Sequence, residues 1–126
     1  MIRTLRFLVV VAALAAASTI PVAAHHSWPV SYEKLVTVKG TVKEFLWANP
    51  HPMITITVRA ADGKTEDWQI GGPAVNRMEA NGWSKTTVKP GDVITGIGYQ
   101  FADGQKIVRL EKVIFADGKE MLLYGR

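Results

Sequence analysis

Apolar and polar positions alternate along most of the chain from Leu35 onward, and the alternation marks out a succession of β-strands. Leu35–Trp47 reads as a long first strand, with Val36, Val38 and Val42 on one parity and Phe45 and Trp47 on the other. A buried set that changes parity within one strand requires a bulge or a sharp bend, and Gly40 suits strong coiling there. Met53–Ala60 is the second strand: Ile54, Ile56 and Val58 alternate with Thr55 and Thr57, the period of a half-buried strand. Asp62-Gly63 turns the chain into Thr65–Ile70, with Trp68 and Ile70 on one face. Gly72-Pro73 then opens a short helix, with Pro73 expected at its first position and Ala74, Val75, Met78 and the stem of Arg77 as its apolar stripe. Asn81-Gly82 closes it, and Trp83 folds back as a plug. Val93–Gln100 and Lys106–Phe115 follow as strands four and five, with a short last strand at Glu120–Tyr124; Asp103-Gly104 and Asp117-Gly118 supply the turns. The segment from His25 to Lys34 shows no period and reads as an irregular arm with aromatic anchors at Trp28 and Tyr32.

The order β-β-β-α-β-β, with a short extra strand, predicts an all-β domain with one short helix. It is a small OB-like five-stranded barrel, the helix lying between strands three and four. An open sandwich or an SH3-like barrel is the alternative, and the position of the helix favours the OB arrangement. The expected core is Val36, Val38, Val42, Ile54, Ile56, Val58, Trp68, Ile70, Val93, Ile97, Val108 and Leu110, from their placement on the strands.

The first 24 residues break this pattern. Arg3 and Arg6 precede an apolar run from Phe7 to Ala17, and Val22-Ala23-Ala24 places small residues where a signal peptidase cuts. The run is too short to span a bilayer. Residues 1–24 are therefore expected to be a signal peptide and 25–126 the barrel domain. The implied location is periplasmic or secreted, with no membrane anchoring after cleavage. Losing Arg3 and Arg6 reduces the 15 basic residues to 13, against 11 acidic ones. So mild a balance in an exported protein argues against nucleic acid as a partner. There is no cysteine, which excludes disulfides and thiolate metal sites, so the domain relies on its apolar core.

Several segments together resemble one family. They are His25-His26-Ser27, Lys39-Gly40-Thr41-Val42, Trp47-Ala48-Asn49-Pro50-His51, Trp68, Gly71-Gly72-Pro73, Gly82-Trp83 and Lys89-Pro90-Gly91-Asp92. The chain resembles DUF6152, small exported bacterial proteins of unknown function. The resemblance implies an exported β-barrel and no particular activity.

Candidate chemistry rests on the three histidines, His25, His26 and His51. Cleavage after Ala24 would make His25 the first residue, offering an α-amine and an imidazole that close one chelate ring. A third nitrogen from His51, or else from His26, completes a histidine brace, a set that suits copper. The arm from His25 to Leu35 spans roughly 33 Å when extended, so reach is no obstacle. Met53 adds a soft thioether that favours Cu(I). Equally, paired histidines at a new N-terminus can be a solvated tail, and a histidine between two prolines can be a turn residue bonded to a carbonyl. No Ser-His-acid signature, cysteine nucleophile or phosphate loop is present, and Glu66 and Asp67 point to opposite faces of a strand, so a non-catalytic protein is expected. The candidate ligand face is Trp28, Trp47, Asn49, Thr55, Thr57 and Arg59, although the tryptophans are expected chiefly to pack. Three functions remain open: a copper-binding module, a metal-free accessory module for a periplasmic protein partner or another envelope component, and a copper-dependent oxidase or oxygenase.

Overall fold

The structure, a computed structural model, describes residues 27–124; the expected signal peptide, His25 and His26 lie outside them. Six strands and one helix run in the order β1 (Val30–Leu46), β2 (Met53–Arg59), β3 (Thr65–Gly71), α1 (Val75–Ala80), β4 (Val93–Phe101), β5 (Ile107–Phe115) and β6 (Glu120–Leu122). The expected arm is shorter than the sequence suggested. β1 begins at Val30, which pairs with Phe101 across a register irregularity before regular pairing resumes at Leu35.

Strand pairing closes on itself. β1 is long enough to pair with β4 through its first half and with β2 through its second. β2 pairs with β3, β4 with β5, and a short parallel seam joins β3 to β5. The ring β1-β2-β3-β5-β4-β1, with α1 between β3 and β4, is the OB-like barrel that the sequence predicts. β6 pairs with the second half of β5 beyond the point where β3 leaves it. Among the described residues no helix is long and apolar enough to cross a membrane.

The core contains Val38, Val42, Ile54, Ile56, Ile70, Val108 and Leu110, as the alternation requires. Val36, Val58 and Trp68 pack against it while partly exposed. Strand four differs: Val93 is exposed and Ile97 half-buried, and the inward face is Ile94, Gly96 and Gly98. Both parities of β4 carry apolar residues, so alternation alone does not orient it. Backbone contact does: a methyl on Gly98 would collide with the Arg109 carbonyl oxygen and lie 2.8 Å from Leu110 Cα. Bulges move the buried set elsewhere. In β1 the shift falls between Val42 and Glu44, past the expected Gly40. In β5 Glu111 is the extra residue, which takes burial from Leu110 to Val113.

Met78, Trp83, Val88 and Leu123, none of them on a strand, are buried with the core. Trp83 is the expected plug, and its indole N–H donates to the Leu122 carbonyl at 2.9 Å. The helix starts later than expected, since Ala74 is its N-cap and Pro73 lies outside it. Gly82, at φ +86°, and Trp83 donate backbone N–H bonds to Glu79 and Met78, the Schellman arrangement that ends a helix.

Candidate functional site

The loop that leaves β1 meets the end of β3 at one end of the barrel. Pro52 is buried there, and its carbonyl accepts the Gly72 N–H at 3.2 Å. This return bond brings His51 against the same segment, with its Nδ1 3.1 Å from the Gly72 carbonyl oxygen. A carbonyl only accepts, so Nδ1 carries the proton, and in the neutral ring Nε2 keeps its lone pair. The Trp28 ring packs on the imidazole at 4.6 Å between centroids and meets Phe101 edge-on at 5.9 Å. Met53, Gly71 and Arg109 are register neighbours across β2, β3 and β5. A methyl on Gly71 would run into the Met53 sulfur and lie 2.8 Å from the Trp28 ring, so glycine lets these two side chains lie over the strand. His51, Trp28 and Met53 thus share a cleft of about 500 Å³ with Phe101, Gln69 and Ile107.

The remaining expected residues divide. Asn49 lines a neighbouring cleft with His51. Its Oδ1 also accepts the Val75 N–H at 3.0 Å, completing a helix start whose own N-cap, Ala74, has no side-chain acceptor. The Asn49–Pro50 bond is cis. Trp47 packs edge-on against Phe45 at 5.5 Å and leans on the core. Thr55, Thr57 and Arg59 line neither of the two clefts. Thr57 donates to Asp67 at 3.1 Å, and Lys43 bonds the same carboxylate at 2.7 Å. The Lys43 bond, followed by that of Thr57, holds the Asp67 carboxyl below its ordinary range and raises Lys43 in return. Beside it Glu66 is lowered by Lys106 and the Trp68 indole. His25 and His26 lie outside the described residues. Among those described, no group of three or more His, Cys, Asp or Glu side chains is placed to hold a metal ion.

The neighbouring cleft, of about 550 Å³, adds residues that the sequence did not single out for a site. The Arg109 guanidinium lies 3.8 Å from the Tyr124 ring centroid and 5.8 Å from that of Tyr32, close enough for cation–π attraction to both. It is also ion-paired with Glu111. The Tyr124 hydroxyl is buried without a hydrogen-bond partner among the described residues. Burial pushes it above its ordinary pKa, while the neighbouring Arg109 guanidinium, by its charge and as a donor near the hydroxyl oxygen, pulls the other way. Arg109 alternates on β5 like any outward residue, and Tyr124 follows the last strand. The one available signal was that Tyr32, Arg109 and Tyr124 are amphipathic types able to pack and bind at once.

A model of DUF6152, described as a family of unknown function, matches residues 11–109. The chain belongs to that family. The DUF6152 match takes in His51, Met53 and Arg109 and stops short of Glu111 and Tyr124. No curated protein matches the chain. What this DUF6152 protein presents at the barrel end is a tethered imidazole, a thioether and an arginine–tyrosine stack, on two adjoining clefts that both include Trp28 and His51.

Proposed function

We propose that the protein acts after export, in the periplasm or outside the cell, as a non-catalytic binding module for a transition metal, copper first. The observation that carries this reading is the Nδ1–H bond from His51 to the Gly72 carbonyl. Metal-binding imidazoles commonly donate their second nitrogen in this way, which fixes the ring and leaves the other nitrogen for the ion. Met53, in the same cleft, supplies a soft sulfur suited to Cu(I). Ser27 lines both clefts, and chain length keeps the α-carbon of His25 within roughly 7 Å of that of Ser27. With cleavage after Ala24, the His25 amine and imidazole join His51 as a three-nitrogen set, and His26 is the reserve ligand. Such nitrogens bind only when deprotonated, so affinity falls with acid.

The test is copper titration of protein whose N-terminus has been verified as His25, with paramagnetic resonance to count nitrogens. His51→Ala is expected to weaken Cu(II) binding at least about tenfold, with the melting temperature as a check on the fold. One residue added before His25 converts the amine to an amide and is expected to do the same. Equal binding by the extended and processed forms removes the amine from the ligand set and ends the brace. Binding no tighter than that of an unfolded histidine peptide ends the metal reading, and the metal-free accessory module then stands in its place.

A further inference from the structure

We propose that the cleft walled by Tyr32, Arg77, Arg109 and Tyr124 binds a small organic carboxylate with an apolar body. This site goes beyond the metal reading and needs no metal. Its volume, about 550 Å³, falls within the range of ligand pockets. Two arginines line it and no aspartate or glutamate does. Arg77 has no ion pair among the described residues. Arg109 has one carboxylate partner, Glu111, yet a guanidinium carries five N–H donors, and stacking on rings occupies its faces while leaving its edge to donate. A paired arginine edge suits a planar carboxylate.

The Tyr124 hydroxyl adds a second polar anchor. Buried hydroxyls without partners are costly and uncommon, and a carboxylate oxygen would accept this one's proton. Like any phenol it is protonated at neutral pH and can donate. Beside the polar Ser27 and Asn49, the rest of the wall is the rings of Trp28 and His51 with Pro50, Pro73 and Ala74, and these rings and prolines match an apolar body better than a fully hydrated ion. That contrast favours a carboxylate on a hydrocarbon or aromatic frame over free phosphate.

The experiment is titration of metal-free protein, kept in chelator, with benzoate, followed by amide chemical shifts. Benzamide serves as the uncharged counterpart and inorganic phosphate as the competing anion. Saturable shifts are expected at Tyr32, Arg109 and Tyr124, with benzamide and phosphate each binding at least about tenfold more weakly than benzoate. Arg77→Gln, at an exposed position, and Tyr124→Phe, which removes one oxygen, are each expected to weaken benzoate about threefold or more, with melting temperatures checking the fold. The proposal is overturned if benzamide or phosphate matches benzoate, if the shifts map elsewhere, or if both variants bind like wild type. The chelator keeps the outcome independent of copper, so either reading can fail alone.

Discussion

The outer surface of β2, β3 and β5 has two halves built to opposite rules. Toward Arg59 the charges are spent on one another: Lys43 and Thr57 hold Asp67 on this face, and on the other face of β3 Lys106 and the Trp68 indole hold Glu66. Toward Met53 the groups keep capacity in hand, namely an imidazole nitrogen, a thioether, a buried hydroxyl and an arginine edge. OB barrels commonly bind ligands along strands two and three, so fold alone would point to the whole surface. Satisfaction of the polar groups separates the halves, because a donor or acceptor already paired gains little from a ligand, whereas an unpaired one gains much.

The largest test of this division lies beneath it. Ile56 is fully buried between Thr55 and Thr57 of the same strand. Ile56→Ala is expected to cost about 2–5 kcal/mol in chemical denaturation, while Thr57→Ala costs far less; the reverse order would show that the paired half is part of the core. Next, Asn49→Ala removes the acceptor for Val75 and is expected to cost about 0.5–2 kcal/mol. Exchange of the α1 amides should speed up, and no change there would separate the loop from the helix. The smallest effect belongs to the exposed Asp67–Lys43 pair. A depressed carboxyl contributes stability above its ordinary pKa and loses that contribution as pH falls through and below it, while raised Lys43 contributes until strongly alkaline pH. The melting-temperature gap between wild type and Asp67→Asn should therefore be open at neutral pH and close in acid or high salt. A gap that ignores both would mean the pair is not electrostatic.

Much of the barrel was legible because alternation is a local property. Ile54, Ile56 and Ile70 declare their face within a few residues, and a glycine at positive φ follows each aspartate at the Asp62, Asp103 and Asp117 turns. Strand four was misread because Val93 and Ile97 are as apolar as Ile94, and the inward glycines give no hydrophobic signal. The burial of Val88 was hidden because a loop has no period, and Leu123, expected within the last strand, lies just past its end at Leu122. In the site, His51 stood out by rarity and by its flanking prolines. The stack of Arg109 with Tyr32 and Tyr124 did not, since it joins three distant segments that meet only when the ring forms.

The closure itself has a kinetic consequence. β1-β2-β3 and β4-β5-β6 are two meanders of neighbouring strands, joined only along the β1–β4 and β3–β5 seams. Local hairpins form faster than distant pairings, whose loop-closure entropy comes first. Trp28, His51 and Met53 belong to the first meander; Phe101, Arg109 and Tyr124 belong to the second. Both clefts therefore exist only after docking, and any occupant spanning them stabilises the docked arrangement of the two meanders, the more so the tighter it binds.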